Sequence, residues 1–325
     1  MAGSFIISFD FELHWGSIEK GDLAKKAEYF KNTRLIIPRV LEQFQERGIR
    51  ATWATVGMLF TSNRKQLEAY LPKVRPHYKN APVLNYYSMF EGNRIGLDEA
   101  SDPLHFAGTL VKKIMETPGQ DLGTHTFCHY YCNEPGQSIE QFQADLEAAQ
   151  NIARDLYGCS LHSLVLPRNQ YNTNYNEAAY RAGIKVIRTN PDVWFWKKRL
   201  PLLTLARAVD TLFPISPSLS FNKLELTKEG VLLLPASRFF RPYMHNEKMI
   251  RSLRLKRIKS EMLYAAKNNR HYHLWRHPHN FGHAVEENMV ELIEILDYYD
   301  YLKMQYGFQS HHMLDMFENI QLSKC

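Results

Sequence analysis

Two acidic residues lie close together near the start of the chain, and two histidines lie close together farther along. Asp10 and Glu12 are separated by one residue, and His125 and His129 are four positions apart. A carboxylate can bind a cation or take a proton from water, and neutral imidazole is the commonest metal ligand in proteins. Held together, these residues could bind one divalent metal and activate a water molecule. Each pair alone is equally compatible with an ordinary polar loop.

An arginine and a histidine follow later apolar runs. Arg168 comes after residues 163–166, and His277 follows residues 271–275 and precedes Pro278. An arginine at a strand end can orient a carboxylate or stabilise an oxyanion, and a histidine there suits general acid catalysis. The alternatives are a surface ion pair for Arg168 and a capping role for His277. His279, in the same segment, is a candidate substrate contact.

Apolar runs alternate with segments of helical periodicity along the chain, which predicts repeated βα units and a parallel sheet. Predicted strands lie within residues 5–9, 50–56, 121–127, 163–166, 184–187, 231–234 and 271–275. Predicted helices lie at 27–47, around 110–115, and at 139–156, 176–182, 249–266 and 289–302. Six or seven units favour a barrel, and the polar clusters follow the strand ends, where parallel barrels build active sites.

Two long segments interrupt this alternation and are expected to be irregular insertions that shape a substrate cleft. They are residues 70–98 and 191–226, and the second contains Trp194 and Trp196. Long loops of this kind tend to be functional, so one of the tryptophans could stack on a sugar. Both could equally cap the barrel core. No linker or repeat divides the chain, so residues 1–325 are expected to form a single domain.

The composition predicts a soluble globular protein, because 45% of the 325 residues are hydrophobic and 23% are charged. The formal charge is +6, and residues 251–259 form the densest basic run. That run fits a solvated helix face, but it could also attract a phosphate-linked sugar or an anionic membrane surface. No nucleic-acid motif accompanies it, so nucleic acid is not an expected partner. No signal peptide, membrane span or disulfide framework is recognised, which predicts a cytoplasmic location.

The order of the polar motifs resembles that of the polysaccharide deacetylases over roughly residues 4–281. Residues 125–129, HTFCH, match the family pattern H-[ST]-x-x-[HD], and residues 274–277, LWRH, match L-x-x-H. The first motif departs from the family, since D-F-E replaces the usual two adjacent acids. The segment after Arg168 lacks the usual R-x-P pattern as well.

This resemblance implies an α/β fold of the distorted (β/α)7 barrel type and a metal-dependent hydrolase that removes an N-acyl group from an amino sugar. The metal ligands would be Glu12, His125 and His129, and Asp10 would be the general base, although the two acids could exchange roles. Zinc is the expected metal because two histidines and a carboxylate with an open position are typical of catalytic zinc, and cobalt, nickel or iron could replace it.

The resemblance also implies roles for residues outside the metal site. Arg168 would hold the base in place, His277 would protonate the leaving amine, and Leu274 would line the acyl pocket. The substrate would be an amino sugar or glycan, such as a nucleotide-linked or lipid-linked precursor. Two alternatives stay open: a barrel that binds a glycan without catalysis, and a hydrolase of non-sugar C–N bonds.

Overall fold

The computed structural model describes residues 2–18, 23–92, 94–197, 201–245 and 248–322. Within these ranges the strands are β1 (Ser4–Phe11), β2 (Ala51–Thr55), β3 (Gln120–Thr124), β4 (Ser163–Val165), β5 (Val186–Thr189), β6 (Glu225–Leu226), β7 (Leu232–Pro235), β8 (Arg238–Phe239), β9 (His271–Arg276) and β10 (Gln309–His311). The helices are α1 (Leu23–Arg47), α2 (Arg64–Glu68), α3 (Ser88–Glu91), α4 (Gly108–Glu116), α5 (Ile139–Tyr157), α6 (Asn176–Arg181), α7 (Trp194–Lys197), α8 (Pro201–Asp210), α9 (Lys248–Lys267), α10 (Val285–Tyr306) and α11 (Met313–Leu322).

The strands form one curled sheet in the order β6-β7-β5-β4-β3-β2-β1-β9-β8, and β10 pairs with β1. The pairings are parallel except that of β6 with β7. Helices lie between the successive strands except at β6, β7 and β8, which follow one another directly, so most of the chain forms βα units. The predicted α/β class and distorted (β/α)7 barrel are therefore confirmed.

The side chains of β1 alternate between the interior of the barrel and the surrounding helices, as the period of two in a strand requires. Ile6 belongs to a small inner core, whereas Ile7 packs in the main core. Ser8 contacts His273 of β9, and Asp10 contacts Arg188 of β5. The even-numbered residues of β1 therefore face inward, and Asp10 lies at the carboxyl end of the strand.

The C-terminal segment closes the end of the barrel where the strands begin. Strand β10 pairs with the first residues of β1, and Met313 and Met316 of α11 pack with Ile6 and Val186 in the inner core. Neither element was predicted from the sequence. The resemblance stopped near residue 281, and β10 is only three residues long.

The segment 191–226 was expected to be irregular, and this was wrong in part. It contains α7 and the ten-residue helix α8. The end of α8 is anchored by a buried ion pair between Asp210 and Arg238, and Arg238 also pairs with Glu261 of α9. The insertion is thus connected to the barrel strand β8 and to a barrel helix.

Several basic side chains of residues 251–259 form ion pairs with acidic side chains of the same protein. Arg251 pairs with Glu291, Lys259 pairs with Glu294, and Arg257 pairs with Glu261. These contacts offset much of the positive charge of the run. Separately, none of the helices in the described ranges is long and apolar enough to cross a membrane.

Candidate active site

Three side chains converge at the carboxyl ends of β1 and β3. The Glu12 carboxylate follows β1, and its Oε2 atom lies 3.0 Å from Nε2 of His129 and 3.4 Å from Nε2 of His125. One potential ligand atom from each residue lies within 4.8 Å of the others, and all three residues are buried. Among the described residues, this is the group of histidine, cysteine and acidic side chains that could hold a metal ion.

The hydrogen bonds of the two imidazoles leave their Nε2 atoms directed at Glu12. Nδ1 of His125 lies 2.7 Å from the carbonyl oxygen of Val165 and must donate its proton there. When the His125 ring is neutral, its lone pair is therefore on Nε2, as a metal ligand requires. Nδ1 of His129 lies 2.9 Å from the Tyr131 hydroxyl, which can accept a hydrogen bond in the same way.

The Glu12 carboxylate is held in its charged form. Burial raises the pKa of Glu12, but the imidazoles of His277, His125 and His129 outweigh this effect and keep the pKa well below its usual range. The carboxylate also packs tightly on Gly16, where an added Cβ would lie 1.9 Å from Cδ of Glu12. Only glycine at position 16 leaves room for this carboxylate.

The loop that carries the two histidines has an unusual backbone. Thr126 and His129 have φ angles of 66° and 59°, in the left-handed region that few non-glycine residues adopt. The buried carboxylate of Asp145 on α5 accepts hydrogen bonds from the backbone N–H groups of Phe127 (2.6 Å) and Cys128 (3.1 Å). Asp145 therefore stabilises the strained loop from beneath without touching the site.

Asp145 is expected to make stability depend on pH. Burial raises its pKa to about 6, although the N–H donors of Phe127 and Cys128 oppose this. Between about pH 4 and 6 the folded protein keeps a proton that the unfolded chain has lost, so the free energy of unfolding falls as pH rises, by up to about 3 kcal/mol. Urea unfolding at about pH 4.5 and 6.5 should show this loss in the wild type and a smaller one in Asp145→Asn. Equal losses would contradict the assignment.

Asp10 is paired with Arg188, and this corrects the role expected of Arg168. The two Nη atoms of Arg188 lie 2.6 and 2.7 Å from the two carboxylate oxygens of Asp10. Arg168 instead lies over the Tyr131 ring and 3.8 Å from Glu134. Its backbone has a φ of 53°, so it lies in a turn after β4 rather than in the barrel wall.

The Asp10–Arg188 pair belongs to a buried polar network. Arg188 also donates to Ser8 and to Asn169, and its guanidinium stacks on the Trp275 ring at 4.5 Å. Burial raises the pKa of Asp10, but the charge of Arg188 and its hydrogen bonds, with the nearby histidines, hold the pKa below its usual value. The carboxylate is therefore charged and fixed in orientation.

We expect Arg188→Lys to lower kcat at least about tenfold more than Arg168→Ala. A lysine cannot form the two parallel hydrogen bonds that hold Asp10. Metal content should be close to that of the wild type in both variants, because Arg188 holds Asp10 and Arg168 contacts Tyr131 and Glu134, none of which is a proposed ligand. Steady-state kinetics with parallel metal analysis will check this. A larger loss of kcat in Arg168→Ala than in Arg188→Lys would show that Arg168 holds the general base, as expected from the sequence.

His277 faces both acidic residues. Its Nε2 atom lies 3.7 Å from Oδ2 of Asp10 and 3.7 Å from Oε1 of Glu12. Burial lowers its pKa, although the charges of Glu12 and Asp10 oppose this. His279 stacks on His277 at 4.9 Å, and its Nδ1 atom lies 3.7 Å from Oε1 of Glu12. Both histidines therefore border the metal site, and the His277 side chain is 23% exposed, which opens the site to solvent on this side.

The other predicted substrate residues lie elsewhere. Leu274 is part of the main core between sheet and helices, so the expectation that it lines an acyl pocket is wrong. Its neighbours on β9, His273 and Trp275, face inward instead. Trp194 is 63% exposed, while Trp196 lines a cavity together with Trp275. The insertion thus supplies one tryptophan near the site.

Comparison with known proteins tests the resemblance seen in the motifs. Residues 31–187 match the family model described as Polysaccharide deacetylase. This segment, just under half of the chain, resembles a polysaccharide deacetylase domain. The resemblance seen in the motifs is therefore confirmed. No curated protein matches the chain significantly.

Solved structures share the fold of this chain at low identity. A Mycobacterium smegmatis protein described as a polysaccharide deacetylase is 11% identical, with a TM-score of 0.63 over 99% of this chain and 91% of its own. A Pseudomonas aeruginosa PAO1 protein, also described as a polysaccharide deacetylase, is 11% identical, with a TM-score of 0.55 over 97% and 89%. PuuE allantoinase is 10% identical, with a TM-score of 0.53 over 97% and 88%. At such identities the structures show a common fold.

Proposed function

We propose that this protein is a metal-dependent hydrolase that removes an N-acyl group, with acetyl as the first choice, from an amino sugar. The observation that carries the proposal is the meeting of three groups at one end of the barrel. Glu12 and two histidines form a ligand set, the Asp10–Arg188 pair lies beside it, and His277 faces both acids. Hydrolysis of an acyl group requires metal ligands, a general base and a general acid, and these three groups could supply them.

The residues present fit a divalent metal. Two neutral imidazoles with their Nε2 atoms turned toward one carboxylate form a donor set typical of catalytic zinc, and cobalt, nickel or iron would accept the same donors. A metal held by Glu12, His125 and His129 would supply Lewis acidity toward the acyl carbonyl and toward water.

The surrounding residues would move the protons. Asp10, charged and held by Arg188, is placed to take a proton from the attacking water on its Oδ2 atom. His277 lies 3.7 Å from that oxygen, and its Nε2 atom would deliver a proton to the leaving nitrogen. Burial lowers the pKa of His277, so the ring would first take from Oδ2 of Asp10 the proton removed from water and then pass one to the leaving nitrogen. Arg188 keeps Asp10 in one orientation throughout.

The substrate class follows from the family domain, which points to acetylated sugars. A nucleotide-linked or lipid-linked sugar is the form we favour. The similarity in fold to an allantoinase favours a second candidate function. This is hydrolysis of a C–N bond in a compound that is not a sugar. Zinc is our first choice of metal.

Metal analysis and a substrate panel test the proposal together. The wild type should contain about one divalent metal per chain, and His125→Ala and His129→Ala should each lose it. Acetate or formate release should be measured from N-acetyl and N-formyl amino sugars, free and nucleotide-linked, with allantoin in a parallel assay. Full metal retention in both variants would refute the site. Conversion of allantoin to its ring-opened acid, allantoate, without acyl release from any amino sugar would favour the second candidate.

A further inference from the structure

A cavity of about 290 Å³ lies next to the candidate general acid. Phe239 and Trp275 form one side of it, and the ring centroid of each lies 5.7 Å from that of His277. The insertion contributes Trp196 and Leu219 to the lining. The residues that line the cavity all lie beyond residue 187, where the match to the family model ends.

Several polar groups that line this cavity are already engaged in contacts within the protein. Arg238 pairs with Asp210 at 3.1 Å. Arg207 stacks on the Trp196 ring and donates from Nε to a backbone carbonyl. Ser237 accepts the backbone N–H of a β9 residue. A sugar hydroxyl entering here would have to displace these contacts, whereas an apolar group would gain from leaving water.

The size of the cavity suits a short apolar chain. A volume of about 290 Å³ lies near the lower end of small-molecule sites. At about 30 Å³ for each small group, it accommodates at most about nine or ten such groups, enough for an octyl chain. The rings of Trp196, Phe239 and Trp275 would provide rigid walls for such a chain.

The helix that forms part of this cavity also presents apolar side chains to solvent. Leu205, Val209 and Phe213 are four positions apart, and they are 62%, 36% and 56% exposed. The turn continues beyond α8, since the N–H of Phe213 donates to the carbonyl of Val209. This spacing places the three side chains along one helix face. Arg207 and Asp210, which line the cavity, lie on another face of α8, so this apolar stripe is separate from the cavity.

We propose that this cavity binds the apolar aglycone of an amphiphilic substrate, an amino sugar joined to an alkyl or lipid chain. The inference rests on the proposed function for the identity of the sugar. The inference goes beyond that function by identifying the aglycone, the part of the substrate joined to the sugar, which would lie on the His277 side of the site.

Chain-length series of glycosides test this inference through binding and turnover. Calorimetric titration of the metal-loaded protein with methyl, butyl and octyl β-glucosides, below micelle-forming concentrations, measures binding without any acyl group to hydrolyse. Each buried methylene contributes about a fourfold gain in affinity. Octyl glucoside should therefore bind at least about tenfold more tightly than butyl glucoside. The corresponding N-acetylglucosaminides should show a parallel rise in kcat/KM.

Two variants test whether the dependence of binding on chain length arises in the cavity. Leu219→Trp fills the cavity and should remove most of the gain in affinity that the octyl chain brings over the butyl chain. Leu97→Trp makes the same chemical change at a side chain that is 74% exposed and outside the cavity, so it should keep the full chain-length effect.

The outcomes separate this inference from the proposed function. If all three N-acetylglucosaminides are deacylated without dependence on chain length, the aglycone site is refuted and the proposed function stands. If octyl glucoside binds tightly and Leu219→Trp abolishes the effect, but no glycoside is deacylated, the cavity is supported and the proposed reaction is refuted. An equal loss in Leu97→Trp would also refute the aglycone site.

Discussion

Glu12→Gln should lower the affinity of the protein for its divalent metal by at least about 100-fold and abolish turnover at limiting metal. A neutral amide is a much poorer ligand than a carboxylate, and Oε2 of Glu12 is the atom on which both imidazole Nε2 atoms converge. The glutamine should fit the same space between Gly16 and the histidines, because it has the shape of glutamate. Competition with a chromogenic chelator would measure the affinity.

Glu291→Gln is the matched control for this loss of a buried carboxylate. Glu291 is 2% exposed and pairs with Arg251 on another helix, so its replacement should destabilise the protein without changing metal affinity. Turnover of Glu12→Gln should recover in part at high metal concentration. Wild-type affinity in Glu12→Gln would show that the carboxylate near the histidines is not a ligand and that Asp10 has that role.

The barrel could be predicted because its elements carry strong periodic patterns. The core strands are short apolar runs, and helices such as α5 have a clear apolar face that ends at Gly158. The elements that were not predicted, β10 and α8, have weak sequence patterns. Strand β10 has three residues, and its place is fixed by pairing with β1 rather than by its own composition. Helix α8 lies among prolines, which argued for irregular structure.

The metal ligands could be predicted because each stands in a motif, but the arginine could not be chosen from sequence. Arg168 and Arg188 both lie near the carboxyl end of a strand. In β5, Val186 belongs to the inner core, so the period of two places Arg188 inward as well. Arg168 follows a proline in a left-handed turn, which directs its side chain to Tyr131. Alternation within β5 was the signal that could have identified Arg188.

The same rule explains the correction at Leu274. The contact between His273 and Ser8 fixes the inward face of β9, and Trp275 shares that face. Leu274 must then face the helices, whatever its place in a family motif. A motif gives the order of residue types, while the direction of each side chain depends on strand register.

Asp10→Asn should keep the metal and reduce turnover by about 10²–10⁴-fold, the usual contribution of a general base. Asparagine preserves the shape of the side chain but cannot take a proton from water at neutral pH. It also leaves Arg188 buried without its charge partner, which costs on the order of 3–5 kcal/mol of stability. Single-turnover rates must therefore be measured on protein shown to be folded at the assay temperature.

Asp121→Asn controls for that loss of stability. Asp121 is a buried acid at the opposite end of the barrel, where its carboxylate accepts from the hydroxyls of Thr52 and Ser163. Its replacement should destabilise the fold and leave the single-turnover rate close to that of the wild type. If Asp10→Asn instead loses the metal while Glu12→Gln retains it, the base and the ligand have been exchanged. Equal rate losses in Asp10→Asn and Asp121→Asn would mean that Asp10 acts through stability alone, since only a base at Asp10 can slow the chemical step of a folded, metal-loaded protein.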